Sequence, residues 1–136
     1  MTSCCEHARI QRVLVVDDDA IIRDLVAFNL EAEGMDVTTA GDGDTAFGLA
    51  RTTAPDLIIL DVMMPGRDGL STLGLLRADP RTATIPVALL TARATDDQVW
   101  EGWAAGADYY IVKPFDIDEI LAFIEYLSRT APLSTP

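Results

Sequence analysis

Basic residues are scarce in this chain. Ten Lys and Arg stand against 22 Asp and Glu, a formal net charge of −12. Nucleic-acid binding relies on clustered cations, so that function class is not expected. His7, near the N-terminus, is the only histidine, which leaves little room for imidazole catalysis. Cys4 and Cys5 are adjacent and have no third cysteine to join them. That spacing suits neither a zinc pair nor an ordinary disulfide, and reduced thiols in a cytoplasmic compartment are the expectation. No apolar run approaches the ~20 residues of a membrane span. Met1 to His7 also lacks the apolar stretch of a secretion signal. No membrane partner is expected.

Hydrophobic residues, by contrast, make up 49% of the 136 positions, enough for one globular domain with a real core. Residues 1–10 are expected to be a flexible arm, 11–130 the domain and 131–136 a tail. Leu57-Ile58-Ile59-Leu60 is a run of large apolar residues, the pattern of a strand buried on both faces. It stops at Asp61, and Pro65 and Gly66 then break the chain.

Along the chain, strand and helix patterns alternate. Val13 to Val16 reads as a buried strand ending in Asp17-Asp18-Asp19. Ile21 to Glu33 reads as a helix with a broad apolar face of Ile21, Ile22, Leu25, Val26 and Phe28, stopped at Gly34. Val37 to Ala40 is a more polar strand, expected near an edge. Helices follow over Asp44–Thr53, Gly69–Arg77 and about Asp96–Ala105. Further strands run over Val87–Leu90 and Tyr109–Val112. The last helix carries Ile117, Ile120, Leu121, Ile124 and Leu127 on one stripe of period 3.6, which leaves Phe123 and Tyr126 off the stripe and at least partly exposed.

Five strand–helix units predict an α/β fold, a doubly wound parallel sheet with right-handed crossovers and five helices. Ligands bind such sheets at the carboxyl edge of the strands. That edge should gather Asp17, Asp18, Asp61, Thr91 and Lys113, the last being the only lysine in the chain. Two carboxylates about 4 Å apart repel by roughly 4 kcal/mol at an effective dielectric near 20. Three together need a cation or shifted protonation to persist. All-oxygen ligands suit a hard ion such as Mg²⁺, which accepts carboxylates, waters and phosphate oxygens together. An ammonium and a hydroxyl across from them could hold a phosphoryl group, so phosphoryl transfer onto a carboxylate is the expected chemistry. Strand-end aspartates also cap the helices that follow them, which would explain one or two of the set. As a strand-end charge, Lys113 is expected to carry little of the stability.

Four segments resemble one family, the receiver domains of bacterial response regulators. They are Val15 to Asp19, Asp61 to Gly69, Leu90-Thr91-Ala92, and Gly106 to Phe115. The resemblance runs from about Arg12 to Arg129. It implies a flavodoxin-like sheet of order 2-1-3-4-5, with Asp61 taking a phosphoryl group from a sensor histidine kinase or phosphotransfer protein. Asp18, Asp61 and the backbone carbonyl of Met63 would bind Mg²⁺, with Asp17 acting through a water. Thr91, Ala92 and Lys113 would hold the phosphoryl oxygens, and the Lys113–Pro114 bond would be cis. Thr91 and Tyr110 would switch together. Val99, Trp103, Tyr110 and Phe123 would lie on the surface of the fourth helix, fifth strand and last helix, where a downstream partner or a second copy docks. Met63 and Arg93 occupy the positions that tune phosphoryl lifetime. Met63 has no polar side chain to orient water, so strong self-catalysed loss is not expected.

Two departures stand out. The last helix has no basic residue before Arg129, unlike receivers that dimerise through charge pairs there, and no DNA-binding domain is expected after residue 129. The expectation is a signalling switch that catalyses only its own phosphoryl transfer and dephosphorylation, whether a stand-alone receiver or a piece of a larger regulator. A phosphatase acting through an aspartyl phosphate is the alternative. In haloacid dehalogenase-type phosphatases an acid–base Asp stands two residues after the nucleophile. Here that position is Met63.

Overall fold

Strands and helices alternate along the chain: β1 (Arg12–Val16), α1 (Ala20–Ala32), β2 (Asp36–Ala40), α2 (Gly43–Thr53), β3 (Leu57–Asp61), α3 (Gly69–Ala78), β4 (Val87–Thr91), β5 (Tyr109–Val112) and α4 (Ile117–Thr130). The structure, a computed structural model, describes residues 10–62, 69–91, 106–113 and 115–130. All five strands pair in parallel in the order β2-β1-β3-β4-β5. Each expected strand is present, and β2 does lie at an edge. Four helices are described. The helix expected over Asp96–Ala105 lies outside the described residues.

The apolar run of β3 has the centre of the sheet, and its alternation builds two cores. Leu57 and Ile59 join Val13, Val15, Val26, Leu30, Ile120 and Ile124 under α1 and α4. Ile58 and Leu60 join Leu14, Val16, Ala46, Ala50, Leu73 and Leu76 under α2 and α3. All four β3 side chains are essentially inaccessible. Burying each contributes roughly 1.5–3 kcal/mol, which fixes β3, and therefore Asp61 at its end, more firmly than any turn could.

The helices start and stop where local chemistry dictates. Asp19 caps α1 by accepting from the Ile21 N–H at 2.9 Å, and Asp42 caps α2 by accepting from the Thr45 N–H at 2.8 Å. Gly34, at φ 92°, ends α1, with its N–H bonded to the Glu31 carbonyl and that of Met35 to Leu30.

Three expectations are corrected. On α1 only Val26, Leu30 and part of Ile22 meet the core, while Ile21, Leu25 and Phe28 are 79%, 49% and 71% exposed. At 100° per residue these three form a second stripe beside the buried one. Phe123 is buried, although the helical wheel puts it off the stripe: Tyr109 of the edge strand β5 stacks on its ring at 4.3 Å between centroids and 8° between planes. Ile10, assigned to the arm, is buried in the core under α1 and α4. Tyr126 is exposed, as expected.

Candidate functional site

Every strand end expected to meet at the carboxyl edge, among the described residues, does so. Backbone bonds carry the ladder one step beyond the strands: Asp17 N–H to Ala40 O at 3.1 Å, Val62 N–H to Leu90 O at 2.9 Å, and Lys113 N–H to Thr91 O at 2.7 Å. These bonds fix the direction of the side chains at each end. One carboxylate oxygen from each of Asp17, Asp18 and Asp61 lies within 4.8 Å of the other two. Lys113 Nζ reaches in from β5, 3.0 Å from Asp17 Oδ2 and 3.4 Å from Asp61 Oδ1. Asp17, Asp61 and Thr91 are buried, whereas Asp18 is exposed.

The two halves of the bland capping explanation separate cleanly. Asp19 and Asp42 are the caps. Asp17 is fully buried, with Oδ1 accepting from the Asp19 N–H at 2.9 Å and Oδ2 paired to Lys113. Burial alone would lower the Lys113 pKa. Its hydrogen bond to Asp17 and the charges of Asp61 and Asp17 outweigh that and hold it above the ordinary 10.5. Lys113 is therefore a cation at any physiological pH. The geometry also corrects the expectation that Lys113 carries little stability, because removing it would strip the partner from a fully buried carboxylate.

Three carboxylates against one ammonium leave two formal negative charges at this edge. The surplus, the oxygen-only donor set and the exposure of Asp18 all fit a hard divalent cation. Met63, Ala92, Pro114, Arg93, Val99 and Trp103 lie outside the described residues. Tyr110 is half-buried against the core under α2 and α3.

Two contacts at the site were not legible beforehand. A Cβ on Gly69 would sit 2.2 Å from the Asp61 carbonyl oxygen and 2.7 Å from Val62 Cα, and the Gly69 N–H donates to Val62 O at 2.8 Å. The glycine thus lets α3 start directly against the peptide that carries Asp61. The Gly within the Asp61–Gly69 segment was its only signal. Arg23 Nη1 donates to the Asp17 carbonyl at 3.1 Å and lies 3.0 Å from where a Cβ on Gly41 would be. It is the only basic residue on α1, and that was its only signal.

A five-stranded 2-1-3-4-5 sheet with this acid–lysine edge defines a receiver-type domain, and the chain belongs to the response regulator receiver domain family, matched over residues 13–125. It is 48% identical over 118 residues to the DNA-binding dual master transcriptional regulator RpaA of Synechocystis sp., covering 87% of this chain and 49% of that one. It is 43% identical over 119 residues to the phosphate regulon transcriptional regulatory protein PhoB of Klebsiella pneumoniae, covering 88% and 52%. The chain thus spans about half the length of the curated relatives it matches. Among solved structures, chemotaxis protein CheY4 of Vibrio cholerae superposes with a TM-score of 0.82 at 33% identity, over 86% of this chain and 98% of that one. The receiver domain of Francisella response regulator 1452 gives 0.81 at 37% identity, over 89% and 98%. Among the described residues, no helix is long and apolar enough to cross a membrane.

Proposed function

We propose that this chain is a phosphorylation-dependent switch in which Asp61 accepts a phosphoryl group from the phosphohistidine of a sensor kinase or phosphotransfer protein. The observation that carries this reading is Lys113, held between buried Asp17 and Asp61 at an edge that keeps surplus negative charge. An Asp61 oxygen attacks phosphorus as the P–N bond of the donor breaks; the bonding pair leaves with the imidazole, which takes up a proton. Lys113 then pairs with the new phosphoryl oxygens, joined by the Thr91 hydroxyl and the Ala92 backbone. Asp18, Asp61 and the Met63 carbonyl would hold Mg²⁺, which when bound offsets the charge of the carboxylates and of the incoming phosphoryl group. Asp17, with both oxygens engaged, anchors Lys113 and would act on the ion through water.

The donor must approach along the carboxyl edge. The stripe of Ile21, Leu25 and Phe28 begins one turn after Asp18 and offers it an apolar footing. On the output side, Thr91 and Tyr110 would relay the change to the face expected from the resemblance to carry Val99 and Trp103, with Phe123 acting from beneath Tyr109 rather than by direct contact. A homodimer or a downstream protein would dock there by apolar contact. The chain is not an enzyme on external substrates. Its longer relatives support reading it as the receiver part of a larger regulator, in which any DNA contact would fall outside this domain.

Incubation with Mg²⁺ and a small acyl phosphate tests the reading. One phosphoryl group per chain, absent in Asp61→Asn, is expected. Turnover of many equivalents would instead make it a phosphatase, and no incorporation would overturn the switch. With a kinase as donor, Phe28→Asp should slow transfer at least about tenfold while leaving the acyl phosphate reaction unchanged.

A further inference from the structure

Away from the phosphoryl site, a groove of about 660 Å³ runs between the C-terminal end of α1 and the flank of α4. Its floor is apolar, built from Ile10, Met35, Leu121 and Ile124, and its rim carries the exposed carboxylates of Glu33, Asp118 and Glu125. Among the described residues, no Lys or Arg lines it. Helix α1 points its C-terminus into the same opening: Glu33 is its C-cap, and its last turn has no basic residue. A helix C-terminus carries about half a negative charge and is ordinarily matched by Lys, Arg or His. Here the dipole end and three carboxylates face one apolar floor with no cation among the described residues to meet them.

We infer that this groove docks a basic amphipathic segment of another protein, with apolar side chains on the floor and Lys or Arg on both flanks. The volume falls in the range of built binding sites, roughly 300–1,000 Å³, and an apolar face laid into a helix-flanked groove is a common mode of peptide recognition. Charge selects among occupants. A second copy would set one acidic rim against another across a two-fold axis, a like-charge arrangement that opposes association. A bare metal ion is not favoured either: among the described residues, only Asp17, Asp18 and Asp61 converge closely enough to hold one. None of those three lines the groove, so the two sites can be occupied together.

The probe is a 14-residue helical peptide of Leu and Lys, with its Leu-and-Glu counterpart as control, titrated into the full chain and followed by backbone amide NMR shifts. The Lys peptide should move the amides of Met35, Leu121 and Ala122. The pair Glu33→Lys and Glu125→Lys should weaken it about tenfold or more, a difference of about 1.4 kcal/mol. The pair Asp24→Lys and Asp44→Lys, which changes net charge equally but lies elsewhere, should weaken it less than about threefold. Equal losses in the two pairs, shifts centred outside the groove, or equal binding of the Glu peptide would overturn the inference as mere bulk electrostatics. Self-association abolished by the groove pair would overturn it in favour of a second copy. Groove shifts on deleting residues 1–8 would overturn it in favour of the chain's own N-terminal segment.

Discussion

At the amino edge of the sheet, Arg77 donates to the carbonyls of Ala83, Ile85 and Gly106 and to Asp108 Oδ2, at 2.7–3.2 Å. Asp108 Oδ2 also accepts from the Val87 N–H at 2.8 Å. One cation, one carboxylate and a set of carbonyls close on one another there, tying α3 to the approaches of β4 and β5. At the carboxyl edge, Lys113 meets two of three carboxylates and leaves a surplus. Both clusters sit at strand ends of the same sheet. The balanced one stabilises the fold, and the unbalanced one gives up stability that a bound cation can restore.

The largest effect is expected at the balanced edge. Arg77→Ala leaves several carbonyls and Asp108 without their donor, and should cost about 3–5 kcal/mol in urea unfolding. The fraction still folded should phosphorylate normally. Little loss of stability, or a phosphorylation defect in the folded fraction, would erase the distinction between the two edges. Gly69→Ala comes next, at roughly 3 kcal/mol, because its Cβ would press on the Asp61–Val62 backbone. Unlike Arg77→Ala it should also slow Asp61 phosphorylation, so a variant that unfolds early but reacts at the wild-type rate would mean the contact shapes only the fold.

Lys113→Met sharpens the comparison by pH and should cost about 1–3 kcal/mol at neutral pH, since Asp17 keeps its bond from the Asp19 N–H. The folded pKa of Lys113 is raised, so its contribution is complete below 10.5 and fades as pH rises through the higher folded value. The gap between wild type and variant should stay flat up to about pH 10 and narrow only above it. A gap that closes between pH 6 and 9 would show that another group governs this edge.

Much of this was written in local pattern. The β3 run, the Pro and Gly breaks and the alternation of periods set every described strand and the first three helices to within a residue, because strand burial on both faces admits few other solutions. Asp17, Asp18, Asp61, Thr91 and Lys113 were legible since parallel topology sends all strand ends to one edge. Other features depend on tertiary neighbours that a helical wheel does not contain. Phe123 is covered by Tyr109 from another element, and the apolar residues of α1 divide into a buried and an exposed stripe only once β1 and α4 are in place. Gly69 against the Asp61 peptide and Arg77 against Gly106 pair residues distant in sequence, so neither leaves a periodic signal.

The measurement closest to the central claim is the melting temperature of wild type and Asp61→Asn with and without millimolar Mg²⁺. Relieved repulsion should make metal-free Asp61→Asn melt a few degrees above metal-free wild type, about 4 °C for each kcal/mol. Mg²⁺ at ten times its Kd should stabilise the wild type by about 1.4 kcal/mol and the variant by less than half as much. A wild type unmoved by Mg²⁺, or an Asp61→Asn that melts lower than wild type in its absence, would contradict a site held in surplus negative charge.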